Sequence, residues 1–160
     1  QARSLAQGGV DYISIETMMD LKEAVLALYG AKQGAPGLPV SVCMVFEKKK
    51  RGFFTAMGDK PADSAWLLKE EGADMVGANC SMGSREMLEM VGEIMEAVSM
   101  PVVMKPNAGL PEMLDGQLTY KQAPEDFADD IRSMIAQGVR LVGGCCGTDE
   151  RFIVACAQVR

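Results

Sequence analysis

The chain has 160 residues, enough for one hydrophobic core, and is most simply interpreted as one domain or part of one. Its 48% hydrophobic and 24% charged residues exclude a disordered chain, and its net charge of −6 argues against nucleic acid or an anionic membrane as a partner. Because no apolar stretch is long enough for a membrane helix and no signal segment opens the chain, we expect a cytoplasmic protein.

A short apolar run followed by an amphipathic segment is the dominant pattern, and it occurs five times. The five predicted strands cover residues 10–16, 39–46, 73–80, 101–107 and 140–145. The predicted helices cover 18–31, a segment opened by Pro61, 84–98, a segment opened by Pro124 with Phe127, Ile131, Met134 and Ile135 on its buried face, and 149–159. This strict alternation predicts an α/β fold with parallel strands.

Two architectures satisfy this alternation, a closed (β/α)8 TIM barrel and an open doubly wound sheet. The five units average about 32 residues, so eight would need roughly 250, the usual size of a barrel. If the fold is a barrel, the chain therefore contains about the last five of its eight βα units.

Five cysteines, an odd number at wide spacing, do not resemble a secreted disulfide framework. The absence of histidine excludes Ser-His and Cys-His nucleophilic pairs and every zinc site that contains histidine. We interpret Cys43 and Cys156 as small buried hydrophobes. Any zinc site in this chain must be built from sulfur and oxygen.

Adjacent cysteines, Cys145 and Cys146, end the fifth predicted strand within the glycine-rich segment 143–148. A disulfide between neighbours is strained, so two thiolates presented to one soft cation, with a third ligand from elsewhere, are the more economical interpretation. Cys80 ends the third predicted strand, and the carboxyl ends of parallel strands share one edge of a sheet. The pattern favours a three-sulfur metal site with one open position; buried apolar thiols and a phosphate-binding turn are the alternatives.

Three segments carry a resemblance to a known family, namely 77–80 (GANC), 106–111 (PNAGLP) and 143–148 (GGCCGT), with support from 9–18 and 120–127. In this order they resemble the homocysteine S-methyltransferase family, and within it the homocysteine-binding domain of the cobalamin-dependent methionine synthases. The resemblance runs the length of the chain. It implies that residues 1–160 are the C-terminal part of a single homocysteine-binding barrel domain whose N-terminal part is absent.

The resemblance also implies that Cys80, Cys145 and Cys146 hold zinc and that the homocysteine sulfur becomes its fourth ligand. The expected reaction is methyl transfer to that sulfur, giving methionine, with no catalytic group beyond the zinc ligands. Methylcobalamin supplied by another domain or protein is the expected donor, and betaine and S-methylmethionine are alternatives. The isolated chain, without the rest of the barrel, is expected to be inactive.

For the substrate, the resemblance implies that Glu16 binds the amino group, that Thr17 lies nearby and that Asn107 helps to hold the amino-acid portion. A carboxylate beside an ammonium is physically suited to orient an amino acid while a metal binds its sulfur. Without the resemblance, Glu16 would be explained as a charge at a helix N-terminus and Asn107 as a turn residue.

Two rival hypotheses remain for the chain as it stands. In the first, it is an inactive zinc-binding fragment or interaction module whose exposed sheet edges pair with the missing barrel half or with a second copy. In the second, it is a phosphate-binding barrel enzyme in which the cysteines have no functional role. The connection 108–123 is long enough to be a functional lid. The basic segment 47–52 is a solvated loop or a docking patch for an acidic partner.

Overall fold

A computed structural model describes residues 1–159, which form a central parallel sheet with helices and two small hairpins. The helices are α1 (Ala2–Gln7), α2 (Leu21–Gly34), α3 (Pro61–Glu70), α4 (Ser84–Ala97), α5 (Pro124–Ala136) and α6 (Glu150–Ala157). The strands are β1 (Ile13–Met18), β2 (Val40–Met44), β3 (Glu47–Lys49), β4 (Gly52–Phe54), β5 (Met75–Gly83), β6 (Val102–Asn107), β7 (Pro111–Leu114), β8 (Gln117–Tyr120) and β9 (Leu141–Val142).

Local sequence explains where several helices begin. Asp20 caps α2, where its carboxylate accepts hydrogen bonds from the backbone N–H of Lys22 (2.8 Å) and of Glu23 (3.4 Å). Asp149 caps α6 in the same way through the N–H of Arg151, at 2.9 Å. Proline opens α3 and α5, as predicted, because its fixed φ suits the first helical turn.

The order of the strands decides between the two predicted architectures. The parallel sheet runs β1-β2-β5-β6-β9, so each new strand is added beside the previous one in chain order. A doubly wound sheet would reverse direction at a switch point, which this sheet does not do between β1 and β9. The α/β prediction and its barrel form are confirmed, with five βα units of a barrel-like sheet.

The two faces of the sheet differ in what covers them. Alternate residues of each strand enter one apolar cluster with the helices, and a typical row across the sheet is Met44, Ala78, Met104 and Val142. The intervening residues point to the opposite, concave face. They include Ser14 and Glu16 on β1, Cys43 on β2, Asn79 on β5, and Lys105 and Asn107 on β6.

Some details of the sequence prediction are wrong. Two hairpins were not predicted: β3–β4 begins in the segment 47–52, which was expected to be a loop, and β7–β8 lies within the long connection 108–123. Ile135 is 38% exposed and does not share the buried face of α5. The fifth strand ends at Val142, so Cys145 and Cys146 lie in the turn that follows it, and α1 was not predicted. Among residues 1–159, none of the helices combines the length and apolar character needed to cross a bilayer.

Candidate metal centre

Three cysteine sulfurs converge at the carboxyl edge of the sheet. The Sγ atoms of Cys80, Cys145 and Cys146 all lie within 4.8 Å of one another, and those of Cys80 and Cys146 are 3.6 Å apart. Tetrahedral zinc with bonds of about 2.3 Å to sulfur places its ligands about 3.8 Å apart. The three residues that sequence spacing selected are therefore brought together at a separation that suits a thiolate-bound metal.

The turn that carries Cys145 and Cys146 is anchored to the end of β6. The N–H of Cys145 donates to the carbonyl of Pro106 (2.8 Å), and the N–H of Cys146 donates to Oδ1 of Asn107 (3.1 Å). In return, the N–H of Ala108 donates to the carbonyl of Cys146 at 2.9 Å. Because these bonds fix the backbone of both cysteines to one neighbouring strand, both side chains start from the same edge of the sheet before any ligand binds.

Glycine at two positions allows the turn to close. A Cβ at Gly144 would lie 2.3 Å from Oγ1 of Thr148, whose hydroxyl donates to the carbonyl of Cys145 (2.7 Å). Gly147 has a φ of +79°, and a Cβ there would lie 2.2 Å from the ring of Tyr120. Gly147 is therefore needed for its positive φ, as the sequence predicted for this segment. Gly144 is needed because the neighbouring Thr148 leaves no room for a side chain.

Strained backbone accompanies the third sulfur. Cys80 and Ser81 have φ values of 63° and 65°, and the pairing of β5 with β6 shifts register at this point. Thr17, at the end of β1, has a φ of 62°, a rare conformation for a β-branched residue. Such residues cost about 1–3 kcal/mol each and persist only where the surroundings hold them.

Asn79 holds two parts of the site together, and it was not predicted. Its side-chain oxygen accepts from the N–H of Thr17 (2.7 Å), while its amide nitrogen donates to Oγ1 of Thr17 (2.9 Å) and lies 3.8 Å from the sulfur of Cys145. The side chain is buried, with 1% of the residue exposed. Asn79 therefore connects the strained end of β1, next to Glu16, to the cysteine cluster.

Glu16 lies on the concave face and is paired with a lysine. Its carboxylate accepts hydrogen bonds from Oγ of Ser14 (2.7 Å) and from Nζ of Lys105. Burial opposes ionisation, but these hydrogen bonds and the lysine charge outweigh it, so the pKa of Glu16 lies below its ordinary value. Burial likewise opposes the charge of Lys105, but the bond to Glu16 raises its pKa. Both groups are charged near neutral pH.

The donor set fits a soft cation. Burial first, and then the neighbouring Cys80 sulfur, raise the pKa of Cys145 to about 11. Thiolates packed this closely repel one another, so they form readily only when a cation shares their charge. The predicted assignment of Cys43 as an apolar residue agrees with its complete burial, which is the main reason its pKa rises to about 12.

Comparison with known proteins places these residues in context. The family model described as homocysteine S-methyltransferase matches residues 1–160. The chain is 32% identical to a methionine synthase of Mycobacterium leprae over 99% of the chain, and 31% identical to that of Mycobacterium tuberculosis over 95% of it. It spans only 14% and 13% of the lengths of these two relatives.

Solved structures share the fold at lower sequence identity. The apo form of the homocysteine methyltransferase MmuM from Escherichia coli aligns with a TM-score of 0.75 and 21% identity, over 99% of this chain and 53% of that one. Its metallated form aligns with a TM-score of 0.72 and 22% identity, over 96% and 46%. At this identity the likeness supports the barrel architecture and nothing further.

Proposed function

The chain belongs to the homocysteine S-methyltransferase family, and on that premise we propose that the protein containing it transfers a methyl group to the thiol of homocysteine, forming methionine. The convergence of three sulfurs within 4.8 Å of one another carries the proposal. Thiol methylation needs a thiolate near neutral pH, and the described residues offer no histidine to act as a base. A metal centre made of sulfur meets that need.

In this proposal Cys80, Cys145 and Cys146 hold zinc and leave its fourth position for the substrate sulfur. When bound there, zinc would keep a thiol deprotonated near neutral pH while leaving it nucleophilic. The hydrogen bonds from Asn79 and the end of β6 orient the cysteines, as outer-shell groups do at other metal sites. Because these thiols must stay reduced, we place the protein in the cytoplasm.

The concave face supplies the groups that orient the amino acid. Glu16 is charged and binds the substrate ammonium, while Thr17 positions that carboxylate from its strained backbone. Asn107 holds the N–H of Cys146 through its oxygen, which leaves its amide nitrogen to contact the amino-acid portion. When both ends of the substrate are fixed, the thiol can approach the methyl donor from only one direction. This orientation of the reacting atoms lowers the activation barrier of methyl transfer.

The methyl group is proposed to come from methylcobalamin on another domain or protein. The sulfur–carbon bond would form as the bond from the methyl carbon to its carrier breaks, and the carrier would keep the electron pair. The relatives named methionine synthase support this choice, because 86% or more of their length lies outside the matched segment and has room for further domains. Betaine and S-methylmethionine are the alternative donors.

The test uses the full-length protein that contains this chain. We expect one zinc per chain and methionine formation from homocysteine, and Cys145→Ser should lower both by more than about a hundredfold, since changes in outer-shell partners alone cost 10- to 100-fold. Cys156→Ser is the matched control, because Cys156 lies on α6 outside the cluster. Unchanged zinc and activity in Cys145→Ser would refute the metal centre, and the donor that supports turnover identifies the methyl source.

We also propose that residues 1–160 are part of one barrel domain whose other strands pair with β1 and β9, the outer strands of the described sheet. Coverage of 53% of the Escherichia coli structure supports this. An inactive fragment remains the rival for the isolated chain, because exposed parallel edges favour association. Light scattering tests the partial barrel: self-association of the isolated chain that disappears in the full-length protein supports it, and a stable monomer of the isolated chain would refute it.

A further inference from the structure

The pair between Lys105 and Glu16 crosses the concave face of the sheet. Lys105 lies on β6 and Glu16 on β1, with β2 and β5 between them. Lys105 also shares its face with Asn107, two residues later on the same strand. The two charged groups therefore meet in the concavity where the amino-acid portion of the substrate is proposed to bind.

The lysine is held in this place. Its side chain is 18% exposed, against 37% for Glu16, so it is the more enclosed partner. Its stem packs beside Gly143, where an added Cβ would lie 3.5 Å from Cγ of the lysine. Gly143 begins the turn that leads to Cys145 and Cys146. Lys105 thus connects the proposed ammonium site to the segment that carries two of the sulfurs.

Binding of an amino acid creates a charge problem at this pair. If the substrate ammonium takes a place on the Glu16 carboxylate, Lys105 loses its only ion-pair partner among residues 1–159. A second cation would then stand beside it in a half-buried site, where unpaired charge is costly. The substrate carries the remedy, because its α-carboxylate is an anion attached to the same carbon as the ammonium.

We propose that Lys105 binds the α-carboxylate of the substrate, so that one internal ion pair is exchanged for two pairs with the ligand. This inference rests on the proposed function, since it takes homocysteine as the ligand and Glu16 as the ammonium site. It assigns Lys105 as a specificity-determining residue that selects thiols carrying both an ammonium and a carboxylate. A thiol with the ammonium alone leaves Lys105 unpaired.

The experiment compares two thiols that differ only in the carboxylate, homocysteine and 3-aminopropane-1-thiol. Dissociation constants are measured by calorimetry on the zinc-loaded full-length protein. We expect homocysteine to bind about 10- to 100-fold more tightly, the range for a hydrogen bond between charged groups. Lys105→Met should remove this preference by weakening homocysteine and not the aminothiol, and Lys105→Arg should retain part of it.

Lys48→Met is the matched control, because Lys48 also forms an ion pair, with Glu89, but lies exposed outside the site. It should leave both constants unchanged. Equal changes for the two thiols in Lys105→Met, or an unaltered preference, would overturn the inference. Zinc content and thermal midpoint exclude a folding defect, and Lys105→Arg decides the matter if Lys105→Met does not fold.

The outcomes separate this inference from the function on which it rests. Tight binding of homocysteine without methyl transfer would refute the proposed reaction while leaving the role of Lys105 measurable. Methyl transfer with no discrimination by Lys105 would refute only the inference. A wild-type protein that binds neither thiol would refute both.

Discussion

The two faces of the central sheet are made by the same strands and yet differ completely in chemistry. On the helix-covered face, Val42, Val76 and Val102 lie side by side with no exposed surface. On the concave face, Asn79 of β5 and Lys105 of β6 are register partners, and both are polar. The strand period of two thus separates the residues that stabilise the fold from those that build the site.

Because of this separation, a change on one face should affect mainly one property. Apolar burial is the main source of folding free energy, and the large buried cluster lies between the sheet and its helices. The concave face instead has strained backbone, charged pairs and free thiols, which are features typical of functional sites. Three changes test how strictly the division holds.

The largest loss of stability is expected from Phe127→Ala. Phe127 on α5 is fully buried and packs edge-on against Phe152 of α6, with ring centroids 5.3 Å apart. Removing the ring leaves a cavity and should lower the free energy of unfolding by about 3–5 kcal/mol, measured by urea titration. Zinc content per folded molecule should stay the same, because the ring belongs to the apolar cluster that includes Phe152 of α6, and not to the concave face.

Leu26→Ala is the control for that change. Leu26 is 68% exposed on α2, so its truncation should alter stability by less than about 0.5 kcal/mol. Loss of zinc from folded Phe127→Ala would show that the two faces are coupled and would break the comparison.

A smaller loss is expected from Gly77→Ala, which adds one methyl group to the concave face. That Cβ would lie 1.8 Å from the carbonyl oxygen of Val103, so β5 and β6 must move apart. We expect a cost of about 1–3 kcal/mol. Because β6 anchors the turn with Cys145, zinc affinity should fall as well, which chelator competition would measure.

Gly92→Ala is the matched substitution within α4, where a Cβ would meet nothing within 4 Å. Alanine there should stabilise the helix by about 0.5–1 kcal/mol. If the two alanine variants changed stability in the same direction, close packing of β5 against β6 would not explain why position 77 is glycine.

The smallest effect, of about 1 kcal/mol at pH 10, is expected from the buried thiol of Cys43. Its folded pKa of about 12 lies above the ordinary 9.0, so the folded protein holds the proton more tightly than the unfolded chain does. The stability from this group is fully present below pH 9 and is lost as the pH rises towards 12. Urea midpoints between pH 8 and pH 11 should therefore fall less steeply in Cys43→Ala than in the wild type.

Cys156→Ala serves as the comparison. Because that thiol is only partly buried, its substitution should change the pH dependence of the urea midpoint less than Cys43→Ala does. Equal slopes in the wild type and Cys43→Ala would mean that this thiol titrates normally on the concave face.

Much of the fold could be predicted because its signals are local. Near-continuous apolar runs located the five parallel strands, and Pro61 and Pro124 located the starts of two helices. The hairpins β3–β4 and β7–β8 were missed because their strands are only three or four residues long and most of their residues are exposed. A signal for the second hairpin was present, because Asp115-Gly116, with positive φ at both residues, is a favoured two-residue turn. The end of β9 was wrong for a related reason, since Gly143 and Gly144 continue the run without continuing the strand.

The candidate site was predicted only in part. Adjacent cysteines are conspicuous, and strand ends meet at one edge, so the cluster of Cys80, Cys145 and Cys146 followed from spacing. Asn79 and Lys105 were missed because their partners, Thr17 and Glu16, are 62 and 89 residues away, and no local pattern encodes such contacts. The position of Asn79 directly before Cys80 was the only available signal.

The sulfur cluster has a consequence for how β9, the shortest strand of the sheet, is held in the fold. β9 contains only Leu141 and Val142 and is an outer strand of the described sheet, so within residues 1–159 it is paired with β6 alone. The adjacent thiols of Cys145 and Cys146 are available to a cation in the unfolded chain too, whereas Cys80 lies 66 residues from Cys146 and is brought near only by folding. A cation's preference for the native state thus rests on Cys80, and binding would connect this outer strand to β5 as well as to β6. Chelation of the proposed zinc is expected to release the C-terminal segment first, while β1 to β6 stay paired.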